Sequence, residues 1–135
     1  MTTQRAEPAE VIDIRPMGSR LTQATTSTLA KSETLEIIRL ILPAGKRVRS
    51  HQVSGPITVH CLEGRIEFQA YGQWQILESG QLLFLTGGEL HAAKAIEDSS
   101  VLITIHLTTP AAVEESAADL MLARFGHDPE AAENM

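Results

Sequence analysis

The sequence predicts an all-β sandwich or barrel, preceded by a short arm and followed by a short helix. Three observations carry this. Between residues 25 and 107, short runs rich in β-branched and apolar residues recur at nearly regular spacing. Clusters of Gly, Pro, Ser or Asp separate most of these runs, the pattern of strands joined by tight turns. Beyond Pro110 the apolar period changes from that of a strand to that of a helix.

Residues 1–20 are polar and contain Pro8 and Pro16. Their one apolar patch, Val11-Ile12-Asp13-Ile14, predicts an arm with a single strand. Residues 21–109 form the barrel. A first, weaker strand over 25–30 pairs with the next through Lys31-Ser32-Glu33, a polar connection of hairpin length. The run from Leu35 to Leu42 is the strongest strand, and Pro43-Ala44-Gly45 stops it. Further strands are expected at 47–53, 57–63, 65–70, 74–78, 82–85, 90–95 and 101–107. The turns between them include Ser54-Gly55-Pro56, Tyr71-Gly72, Ser79-Gly80, Thr86-Gly87-Gly88 and Asp98-Ser99-Ser100. In residues 110–135, Val113, Ala117, Leu120, Leu122 and Phe125 share much of one helical face before Gly126 ends it, and an acidic tail follows.

A chain of 135 residues suits one domain with a core of its own. A net charge of -6 argues against nucleic acid and anionic membrane as partners, because both require a basic footprint. No stretch approaches the roughly 18 apolar residues of a membrane span. The N-terminus lacks the apolar run of a secretory leader and Cys61 has no second cysteine to pair with, so a cytoplasmic location is expected. Charge is uneven: Lys46, Arg47 and Arg49 cluster just before His51, whereas the region after Pro110 is acidic.

Two stretches resemble the cupin superfamily in order and spacing. Its first motif reads Gly, five residues, His-x-His, three or four residues, Glu, six residues, Gly. Here Gly45 leads through five residues to His51, Val53 stands at the second His, Ile57 at the Glu, and Gly64 closes the motif. Its second motif reads Gly, five residues, Pro-x-Gly, two residues, His, three residues, Asn. Here Gly80 leads to Thr86-Gly87-Gly88 and His91, with Ala95 at the Asn position. The resemblance implies a jelly-roll barrel over about residues 25–107 and a cavity holding iron, manganese, nickel or zinc. His51 and His91 are the ligands retained; Val53 and Ile57 offer no donor, so the implied metal site is degenerate. A metal held weakly by the two histidines, with water or an anion completing its shell, stands beside a cavity without metal.

Strict alternation of side chains places Arg49, His51 and Val53 in one direction and Ile57, Val59 and Cys61 in another, both inward under the resemblance. His51, His91, Arg49, Val53 and Ile57 are therefore the expected ligand-binding residues. Arg49 would give a carboxylate or phosphate a bidentate partner; the plainer reading of Lys46, Arg47 and Arg49 is a solvated charged edge. His60 falls on the outward parity, and Cys61 reads as a small buried apolar residue. His106 is the better candidate for a third ligand if it faces the cavity, and points outward if the apolar set Val101-Ile103-Ile105-Leu107 faces the core. Phe68, Trp74 and Phe84 read as packing residues. Two function classes stay open: a small-molecule binder, catalytic or not, using His51 and His91, and a non-catalytic sensor-like, storage-like or dimerisation module with an apolar cavity. The family commonly dimerises, so a homodimer is expected, with the arm and barrel surface as interface. Light scattering at micromolar concentration should give twice the chain mass; a clean monomer would contradict this.

Overall fold

A computed structural model describes residues 5–107, and the helix and acidic tail expected beyond Pro110 lie outside them. The described chain contains nine strands: β1 Ser27–Lys31, β2 Leu35–Leu42, β3 Arg47–His51, β4 Ile57–Glu63, β5 Arg65–Ala70, β6 Gln73–Glu78, β7 Leu82–Leu85, β8 His91–Ala95 and β9 Ser99–His106. They build two antiparallel sheets, ordered β1-β2-β9-β4-β7 and β3-β8-β5-β6. Apart from the β1–β2 and β5–β6 hairpins, each connection carries the chain from one sheet to the other. That is the double-sheet jelly roll, which leaves its loops at the two ends of the sandwich.

Alternation decides which residues meet between the sheets. Ile38, Leu40 and Leu42 on β2, Ile57, Val59 and Cys61 on β4, Ile66, Phe68 and Ala70 on β5, and Val101, Ile103 and Ile105 on β9 are all buried in one core. Gly64 makes the tight turn between β4 and β5. Its φ is +90°, and a Cβ there would collide with Ser99 and the Asp98 carbonyl, so only glycine fits.

The arm departs from expectation. Val11–Ile14 form no strand, and the arm instead contains a short 3-10 helix, Gly18–Gln23. The cause is a long-range contact. Arg39 and Ile41 point away from the core on β2, yet are only 4% and 6% exposed. Arg39 Nη2 donates to the Arg15 carbonyl (2.8 Å), the Ser100 hydroxyl (3.2 Å) and the Glu63 carboxylate (3.3 Å). Glu63 also accepts from the amides of Met17 (3.0 Å) and Gly18 (3.2 Å) and from the Ser100 hydroxyl (2.8 Å). Its carboxylate thus caps the start of the 3-10 helix and fastens the arm to the outer face of the sheet.

Burial alone would raise the Glu63 carboxyl, but the hydrogen bonds from Met17, Ser100 and Gly18 and the charge of Arg39 together hold it below the usual carboxylate range. A depressed folded pKa gives stability that is present above the ordinary value near 4.5 and lost as pH falls through the folded one. Glu63→Gln should therefore cost about 2 kcal/mol near neutral pH and flatten the acid limb of stability. Urea unfolding at neutral and acid pH measures both.

Candidate functional site

The site is built where β3 and β8 pair. Arg47 lies opposite Lys94 and Val48 opposite Ala93, but the next pair is His51 with His91, so Arg49 and Ser50 face only Ala92. This β-bulge breaks the alternation. Val48 and His51 both point inward, and Arg49 is not among the residues lining the cavity. The expectation that Arg49 shares the direction of His51 is corrected: the extra residue rotates it out of phase. What Arg49 contributes is its carbonyl, which lies 2.9 Å from His51 Nδ1.

His91 repeats that arrangement, its Nδ1 lying 3.0 Å from the Glu89 carbonyl two residues earlier. A carbonyl oxygen only accepts, so each Nδ1 carries a proton, and in a neutral ring Nε2 is then the acceptor. The rings lie 4.3 Å apart between centroids, edge to face at 62°. Phe68 stacks on the far side of His91 at 5.7 Å and 17°. His51 and His91 are 7% and 5% exposed. Burial pushes the His91 pKa below its ordinary value, against the opposing pull of the Glu89 carbonyl contact and carboxylate, so His91 is neutral at pH 7.

The rings open on a cavity lined otherwise by apolar groups of both sheets, among them Leu40, Val48, Ile57, Val59, Phe68 and Ile103. It offers about 20 Å³ to the centre of a water-sized guest, room for about one water. Ile57 therefore takes its expected place. Val53 does not: it packs half-buried against the core outside the cavity lining, and its carbonyl accepts from the Gly88 amide at 2.8 Å. Lying beyond the end of β3, it belongs to the connection and not to the alternating strand.

The donor set does not fit the metal implied by the family. Such ions are held by three or more protein donors. Among the described residues no group of three His, Cys, Asp or Glu side chains could hold one. Among the described residues no basic side chain lines the cavity, so Arg49 does not supply the anion partner expected of it.

The other candidates lie elsewhere. His60 is half-buried on the outward parity of β4 opposite Leu82, and His106 is exposed at the end of β9. Cys61 is fully buried and its thiol donates to the Glu63 carbonyl (3.5 Å). Burial pushes that thiol up to about 11, so it stays protonated and unreactive at neutral pH. Trp74 and Phe84 are exposed, whereas Phe68 belongs to the site. Sequence reasoning missed Glu36. It shares the inward parity of Ile38 and Leu40, is 0% exposed, accepts from the Thr28 hydroxyl (2.7 Å) and lies 4.0 Å from Lys31 Nζ. Register puts it in one row with Ile105 and Ile57, at the histidine end of the barrel.

The sequence matches no family model and no curated protein. The structure resembles many solved ones. A conserved Streptococcus pyogenes protein of unknown function is 23% identical over 81% of this chain and 96% of its own, with a TM-score of 0.63. A cupin superfamily protein from Desulfitobacterium hafniense is 16% identical over 76% of this chain and 99% of its own, also at 0.63. The salicylate 1,2-dioxygenase from Pseudoaminobacter salicylatoxidans is 15% identical over 59% of this chain and 24% of its own, at 0.56.

The depressed His91 pKa has a sign that can be checked. With the folded value below the ordinary 6.5, the unfolded chain binds more protons between the two, so stability is full above 6.5 and declines as pH falls through the folded value. Urea midpoints should drop as pH falls below about 6.5, and His91→Gln should shallow that drop. The Glu63 contribution falls away only at lower pH, which keeps the two apart.

Proposed function

We propose that this protein, a cupin by fold, binds a small uncharged molecule carrying a hydroxyl or amide donor, using the His51–His91 pair and no resident metal. One observation carries the reading: two imidazoles 4.3 Å apart, each with Nδ1 on a main-chain carbonyl, in a cavity whose other described lining is apolar. A neutral Nε2 on His91 accepts a hydrogen bond from a ligand hydroxyl, while Ile57, Leu40 and Ile103 pack an apolar body. An anion finds no cation among the described residues of this lining, and bringing its charge into an apolar site without one is costly. The same hydrogen bond places a ligand hydroxyl where His91 can take its proton, so acid–base chemistry is available to the site without further groups.

Two measurements test the proposal. Metal analysis of protein purified without an affinity tag should find no stoichiometric iron, manganese, nickel or zinc. With ¹⁵N-labelled histidine, titration with short alcohols and primary amides should shift the His91 Nε2 resonance, while formate and acetate leave it in place. His91→Ala should abolish the binding. Stoichiometric metal, or a response to the carboxylates alone, would sink this reading.

A further inference from the structure

The cavity is narrow and leaves His51 and His91 only 7% and 5% exposed, so a ligand of organic size gains access to the rings when the rim of the barrel moves. Three connections form that rim. His51, His91 and Ala70 stand side by side in one row of the β3-β8-β5 sheet, and from them run residues 52–56, residues 86–90 and the Tyr71-Gly72 turn.

Among the described residues few bonds fasten the three to one another, and Tyr71 makes most of them. Its hydroxyl accepts from the Thr86 amide (3.0 Å) and bonds the Thr86 hydroxyl (2.8 Å). Its own amide donates to the Glu89 carboxylate (2.9 Å). On the other side, the Gly88 amide donates to the Val53 carbonyl (2.8 Å), and Gly87 lies so close to the Ser54 carbonyl that a Cβ would collide with it. Tyr71 occupies this turn with φ +52°, a left-handed conformation that is costly for a bulky residue. A glycine or asparagine would serve the turn better. The phenol supplies what those residues lack.

We infer that residues 86–90 are a gate over the histidine pair, latched shut by Tyr71. Glu89 ties the latch to the site, because its carboxylate meets Tyr71 while its carbonyl fixes the His91 tautomer. Loosening the latch thus opens the cavity and frees the ring it serves. The inference rests on the ligand-binding reading above.

Access to the rings can be measured without any ligand. Diethyl pyrocarbonate acylates accessible imidazole nitrogen, and mass spectrometry resolves each histidine. In the wild-type protein His51 and His91 should react far more slowly than exposed His106. When opening is fast and rare, the rate follows the open population. Tyr71→Phe, which removes both hydroxyl contacts, should speed modification of His51 and His91 roughly tenfold, with His106 unchanged. Glu89→Ala, which cuts the latch from the other side, should act in the same direction and serves if Tyr71→Phe fails to fold. Unchanged rates at both histidines in a folded variant would overturn the gate, as would equal acceleration at His60, which reports general loosening. Faster modification without any response to alcohols or amides leaves the gate standing and removes the ligand reading.

Discussion

One unpaired residue in β3 governs the rest of the site. Without the bulge at Arg49 and Ser50, Val48 and His51 would fall on opposite faces and the second imidazole would leave the interior. With it, the two histidines become direct cross-strand neighbours and a cation is turned away from the cavity. The inward histidine is also brought back over its own strand, where the Arg49 carbonyl meets Nδ1. The cross-strand register of the two histidines and the outward turn of Arg49 follow from this local disruption of the ladder.

Several buried polar groups of the barrel are held by specific partners. Glu36 is fully buried on Thr28 and Lys31, and Arg39 and Glu63 sit beneath the arm on main-chain groups and Ser100. The two histidines sit elsewhere: each Nδ1 meets a main-chain carbonyl two residues earlier, and the rings line the cavity beside apolar side chains.

Much of the architecture was legible in the chain because it depends on local rules. Strand limits followed from β-branched runs and turn glycines, and the two motif spacings brought His51 and His91 together before any coordinates. Glu36 was legible in principle, since it shares the parity of Ile38 and Leu40, but a charged residue at a strand end reads as solvated. The bulge was not legible: Arg49 and Ser50 carry no signature that distinguishes them from ordinary strand residues, so strict alternation put Arg49 and Val53 in the cavity. The arm was misread for a related reason. Its conformation answers to Glu63 and Arg39, far along the chain, and no window around Val11–Ile14 contains them.

The arm is grasped by its peptide groups: Glu63 receives the amides of Met17 and Gly18, and Arg39 reaches the carbonyl of Arg15. Nearly every residue type offers those same groups. Over evolutionary time the two ends of this contact should drift at different speeds, with positions 15 to 17 changing freely while 39 and 63 change rarely, and then together. Relatives of this chain that keep the strap would be recognised by an arginine and a glutamate on two strands of one sheet with a third strand between them, and by little likeness in the strap itself.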